Sequence, residues 1–164
     1  MILKDSTRRK ITFGIGLFIL IGLFTANIMG KRQDEAFIND HHTYNQAVQK
    51  LEEGEFEEAL KTTKVLEVSQ SSSEAVNYII GLSAANSGQY NTALLHMQRL
   101  LEINPHRVED PIFMIQYAEI LLTLGNQVAA EKVLNKCLEL PKPTNYPQYE
   151  EKIIQLQEQL ATQS

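Results

Sequence analysis

The strongest constraint on this chain is that most of it repeats one segment. Residues 74–105, EAVNYIIGLSAANSGQYNTALLHMQRLLEINP, hold two apolar stripes. Tyr78, Leu82 and Ala85 precede Gly88, and Tyr90, Ala93, Leu94, Met97, Leu100 and Leu101 follow it. Both stripes keep a period near 3.6, the spacing of one face of a helix. Gly88 ends the first helix, because glycine takes the left-handed conformation that a helix C-terminus often needs. Pro105 closes the second, because proline cannot continue a helix. The spacing predicts two antiparallel helices of about 14 residues each joined by a short turn.

The same frame lies on either side. Gly54, Phe56, Ala59 and Leu60 stand 34 positions before Gly88, Tyr90, Ala93 and Leu94. Gly125, Ala130, Leu134, Cys137, Leu138 and Leu140 repeat it with a shift of 37, the extra residues falling around 108–111. A period near 34 with glycine, aromatic, alanine and proline at these offsets resembles the tetratricopeptide repeat family. The middle copy carries the whole pattern in Gly81, Gly88, Tyr90, Ala93 and Pro105. The outer copies depart from it: Ala47 replaces the early glycine and Ser71 the closing proline in the first, and the third has Gln127 or Val128 in place of the aromatic. The expected fold is all-α, with three repeats over residues 43–143 and a capping helix and frayed tail over residues 144–164. Tyr146, Tyr149, Ile153, Leu156 and Leu160 form the apolar seam of that last helix, which would cover the face a solenoid leaves exposed at its end.

The N-terminus follows different rules. Residues 1–10 carry Lys4, Arg8, Arg9 and Lys10 against Asp5, and residues 11–30 carry no charge. Twenty helical residues span about 30 Å, the thickness of the hydrocarbon core. Eleven of these are Ile, Leu or Phe, which favours insertion by up to about 5 kcal/mol. The run is long for a signal-peptide core and shows no A-x-A cleavage site, so residues 11–30 read as an uncleaved signal anchor. Four basic residues precede it, whereas Lys31 and Arg32 behind it are diluted by Asp34 and Glu35. The positive-inside rule then places residues 1–10 in the cytoplasm and the repeats outside it. Gly22, Ala26 and Gly30 make a small-residue stripe through which two anchors could pack as a homodimer. Residues 31–42 are a short polar connector or a continuation of the anchor helix.

Composition excludes more than it identifies. Four of the 15 basic and one of the 20 acidic residues lie in residues 1–30, so the rest of the chain carries 11 against 19, a net of −8. That balance argues against nucleic acid, whose phosphates need clustered Lys and Arg. The acidic stretch EEGEFEE at residues 52–58 lacks the alternating spacing of a calcium loop and reads as a solvated turn. His41 and His42 are adjacent and face apart, while His96 and His106 have no partner at metal-ligand spacing; all four are expected at the surface or at helix caps. Cys137 sits where a small packing residue belongs and is expected to be buried and inert. Residues 71–74 read as a capping box, and Asp110-Pro111 as the N-cap and first residue of a helix. There is no hydrolase elbow, phosphate loop, H-E-x-x-H or glycine fingerprint. The sequence therefore predicts no catalytic residue, no metal and no cofactor.

The resemblance implies a superhelix whose concave face, lined by the first helix of each repeat, receives a peptide or a helix from a protein partner. Carried over position by position, that lining would be Tyr44, Val48 and Leu51, then Tyr78, Leu82 and Asn86, then Ile115, Glu119 and Leu122. It is largely apolar and lacks the basic clamp that some members use to hold a terminal carboxylate. The expected function is a membrane-anchored scaffold, adaptor or assembly factor. The alternative is a chaperone-like holder of exported polypeptides.

Overall fold

Gly54, Gly88 and Gly125 have φ of +78°, +76° and +72°, and no other described residue has positive φ. Each occupies the position after a helix where the left-handed conformation lets two backbone amides turn back. The Gly88 amide donates to the Ala85 carbonyl (3.1 Å) and the Gln89 amide to Ala84 (2.8 Å). Gly54 and Glu55 bond Leu51 and Lys50 in the same way, and Gly125 and Asn126 bond Leu122 and Leu121. These are three copies of one Schellman closure, which satisfies the last carbonyls of a helix and reverses the chain within three residues.

The computed structural model describes residues 5–163, except the side chains of residues 5–14, 16, 17 and 163. The helices are α1 (Asp5–Glu52), α2 (Phe56–Ser69), α3 (Glu74–Asn86), α4 (Tyr90–Ile103), α5 (Pro111–Thr123), α6 (Gln127–Glu139) and α7 (Tyr149–Gln163). No strand occurs among the described residues. The chain divides into two units, Met1–His42 and Thr43–Ser164.

In the second unit the repeat frame becomes the core. Ala59, Ala93 and Ala130 are fully buried, as are Leu66, Leu100 and Cys137 about two turns further along the same helix face. Thr63, Met97 and Leu134 complete the set between them. Facing them are the small residues Ala47, Gly81 and Ala118, all buried. A Cβ added at Gly81 would lie 3.1 Å from the Met97 methyl carbon, so α3 and α4 approach as closely as side chains allow. Each fully buried Leu contributes about 1.5–3 kcal/mol by leaving water.

The longer step into the third repeat has its own structure. Pro105–Glu109 forms a 3-10 turn, and Asp110 then caps α5, its carboxylate accepting from the amides of Ile112 (3.0 Å) and Phe113 (3.2 Å). Pro111 stands at the first helical position, where its missing N–H costs nothing.

Three local expectations are corrected. The cap of α3 is Ser73, not Ser71: the Ser73 hydroxyl accepts from the Val76 amide. Glu74 does not close a capping box and instead takes Arg107 (2.9 Å) and the Asn104 amide (2.9 Å). His96 is 1% exposed, not a surface residue, because Asn77 offers it a buried partner. The last helix starts at Tyr149, three residues after Tyr146. Its seam nevertheless packs as a cap: Tyr149, Ile153 and Leu156 are buried, and the Tyr149 hydroxyl donates to the Cys137 carbonyl (2.9 Å). Cys137 is a free, buried thiol whose pKa burial raises.

In the first unit, residues 15 and 18–30 of α1 leave large apolar side chains exposed, with Phe18, Leu20, Leu23 and Phe24 each more than 60% accessible and Ile15, Ile19 and Ile21 more than half. Among the described residues no helix is long and apolar enough to cross a membrane. The basic side chains of residues 1–10 and the first side chains of the expected anchor lie outside the described residues. Gly22 and Gly30 are bordered by open space: a Cβ at either would meet nothing within 4 Å.

Candidate functional site

The helix hairpins leave a concave cleft of about 340 Å³ between α3 and α5. Leu82 and Ala85 on α3, Tyr90 on α4 and Ile120 on α5 give it apolar walls. Asn86, Gln116, Glu119 and Thr123 give it polar edges. A pocket of this size, with polar groups on half of its lining residues, suits a small number of side chains from a ligand.

Tyr78 sets the upper end of the cleft. Its hydroxyl donates to the Gln116 side-chain oxygen at 2.9 Å, tying α3 to α5. Its ring lies 6.4 Å from that of Phe113, which stacks at 5.9 Å on Tyr117. The Arg107 guanidinium covers the Tyr78 ring at 5.0 Å, a cation–π contact. Glu74 and Asp110 hold that guanidinium, although the Glu74 oxygen lies out of line for a hydrogen bond from the Arg107 Nε it faces. Burial raises the Tyr78 pKa, and the Asp110 carboxylate adds to the rise. Tyr78 is thus a neutral, fixed aromatic at the mouth of the cleft.

Glu119 stands at the opposite edge. Lys152 of the capping helix reaches it across 2.7 Å. The solenoid cap therefore contributes a charge to the concave face.

Of the nine residues expected to line a groove, Leu82, Asn86 and Glu119 line this cleft and Tyr78 borders it. Tyr44, Val48 and Leu51 are half-buried on α1, outside the cleft, with Tyr44 packed on the core. Ile115 and Leu122 are 4% and 1% exposed and belong to the core. Counting by 37 carries Leu82 to Glu119 and Asn86 to Thr123, both of which line the cleft, so Leu122 stands one position short of the frame; Ile115 keeps the frame from Tyr78 but is buried, and Gln116 beside it meets Tyr78. Each residue turns the helix by about 100°, so one step exchanges groove for core. The signal was available within α5. Gln116, Glu119 and Thr123 interrupt the otherwise apolar PIFMIQYAEILLT at helical spacing and mark its solvent-facing strip.

A second, more open depression lies at the C-terminal ends of α2 and α4, with Val68 and Ile103 beside Glu67 and Arg99. Its charged groups face each other at 3.9 Å, and it lacks an aromatic wall. The α3–α5 cleft is the more enclosed of the two. Among the described residues no group of three or more His, Cys, Asp or Glu could hold a metal ion.

A tetratricopeptide repeat profile matches residues 113–143, the third helix pair. No curated protein sequence matches the chain. Among solved structures, the fold is similar to that of the type III secretion translocator chaperone SycD of Yersinia enterocolitica, at a TM-score of 0.57 and 24% identity, covering 75% of this chain and 81% of that one. The same chaperone bound to a peptide of the translocator YopD aligns with a TM-score of 0.56 and 24% identity over 75% and 90% of the two chains. Its alternative dimer gives 0.55 and 23% over 76% and 90%.

Proposed function

We propose, for a chain that belongs to the tetratricopeptide repeat family, that its repeat unit captures a protein partner in the α3–α5 cleft. The observation that carries this reading is the cleft itself. Leu82, packed against the core below, keeps part of its surface open to the cleft, beside Asn86, Gln116, Glu119 and Thr123 and near the fixed ring of Tyr78. A folded solenoid gains nothing from leaving such a strip in water, whereas a ligand segment would bury it. The role is binding rather than catalysis.

The finer reading is a membrane-anchored scaffold, adaptor or assembly factor. Residues 11–30 form the anchor, with residues 1–10 in the cytoplasm and the repeats on the other side. Gly22, Ala26 and Gly30 offer a face for pairing two anchors. The Thr25 hydroxyl supports this assignment, since it donates to the Ile21 (3.0 Å) and Gly22 (2.9 Å) carbonyls and so needs no water. The apolar side chains around it remain exposed and want a cover.

A second reading, a chaperone-like holder of exported polypeptides, is favoured by one observation: the similar chaperone SycD was solved with a translocator peptide bound. Co-purification of the full-length chain from membranes separates the two. One stoichiometric partner supports the scaffold; many exported clients support the holder; recovery of neither overturns both.

A further inference from the structure

The cleft carries its charge in one place. Among the described residues lining it, Glu119 alone bears a formal charge, between the apolar Ile120 and the hydroxyl of Thr123. The Glu119 side chain is 49% exposed and that of Lys152 is 25% exposed. An ion pair so open to water is weak and exchanges readily. Lys152 comes from α7, the cap, 33 residues further along the chain.

A peptide laid over Leu82 and Ala85 meets the edge that Glu119 forms. It would cover Glu119 and strip water from its carboxylate, and a carboxylate losing water needs a cation. Lys152 can supply it only by staying in place. A peptide that brings its own cation supplies it directly and frees Lys152 to return to water. A peptide with a carboxylate there would set two like charges together. The field of the chain beyond residue 30, which carries 11 basic against 19 acidic residues, also favours a cationic ligand.

We infer that the α3–α5 cleft selects an apolar peptide segment bearing one Lys or Arg, whose cation replaces Lys152 on Glu119, so that the capping helix is a built-in competitor for the ligand. This rests on the reading of the cleft as the partner site.

The test uses the full-length chain in lipid nanodiscs, with empty nanodiscs as reference. The probes are three short labelled peptides of Leu, Ala and Ser that differ only in a central Lys, Leu or Glu. Fluorescence anisotropy should rank them Lys over Leu over Glu, with Lys about fivefold tighter than Leu. Lys152→Ala should tighten the Lys peptide further and weaken the Leu peptide. Glu119→Gln should make Lys and Leu peptides equal. Glu119→Lys combined with Lys152→Glu keeps the pair with its signs reversed and should transfer the preference to the Glu peptide, which a merely structural pair would not do. Equal binding of Lys and Leu peptides to the native chain, or weaker Lys-peptide binding by Lys152→Ala, overturns the inference and leaves the cleft reading intact. Binding of none of the three overturns the cleft reading and the inference with it.

Discussion

The His96 Nδ1 lies 2.9 Å from the Asn77 side-chain oxygen, in a buried contact between α4 and α3. The Asn77 amide donates to the carbonyls of Ser71 (2.9 Å) and Ser73 (2.8 Å), which fixes the direction of its oxygen. His96 must therefore donate from Nδ1, and its Nε2 is left facing the Glu67 carboxylate at 3.6 Å. One histidine thus links α4 to α3 and, through Asn77, to the loop that starts the central repeat.

That link makes stability depend on pH. Burial lowers the His96 pKa below its ordinary 6.5; Glu67 opposes the shift and Arg99 adds to it. The unfolded chain then holds more protons than the folded one between the ordinary value and the lower folded one. The neutral ring's contribution is complete above pH 6.5 and is lost as pH falls below it. Thermal midpoints should drop more steeply on acidification for the native chain than for His96→Gln. Parallel profiles would show that His96 is not the titrating group.

Ala93 is fully buried where α4 meets its neighbours. Ala93→Leu has no space to occupy and should cost about 1–3 kcal/mol. A lowered thermal midpoint checks it; an unchanged one would mean the repeat frame does not govern packing there.

Gly88 has φ +76° and open space around its Cβ position, so an alanine there meets only backbone strain. Gly88→Ala should cost about 1 kcal/mol, and Gly88→Asn less, since asparagine tolerates this conformation. Denaturant midpoints should fall in that order. Equal midpoints for Ala and glycine would contradict the Schellman account.

Tyr149 fastens α7 through the Cys137 carbonyl, which the Leu140 amide also bonds at 3.3 Å. Tyr149→Phe therefore leaves that carbonyl one partner and should cost about 1 kcal/mol. Hydrogen exchange should quicken in α7 first. Uniform quickening would place the tyrosine in the common core instead of the cap.

What the sequence made legible is what short-range rules decide. Gly54, Gly88 and Gly125 close their helices with bonds spanning five residues, and the alanines at 59, 93 and 130 follow from the same frame. The misplacements are tertiary. His96 is buried because an amide 19 residues away accepts from it. Glu74 leaves its expected cap because Arg107, in the lengthened loop, pairs with it. Leu122 turns inward because the frame of 37 from Asn86 falls one position on, at Thr123, which lines the cleft, and Ile115, which keeps that frame from Tyr78, is buried in the third repeat. Lys152 on Glu119 joins the cap to the concave face at a separation no repeat pattern encodes.

The central claim is that partners are held in the α3–α5 cleft, and photocrosslinking from defined positions tests it most directly. A photoreactive residue would replace Asn86 or Thr123, both exposed in the cleft, or Leu95 or Val128, both exposed on the second helices of their repeats. Each full-length variant would be irradiated in the cells that express it after its melting curve had matched the native one. The account predicts partner adducts from positions 86 and 123 and none from 95 and 128. Adducts from 95 or 128 with none from 86 and 123 would contradict it.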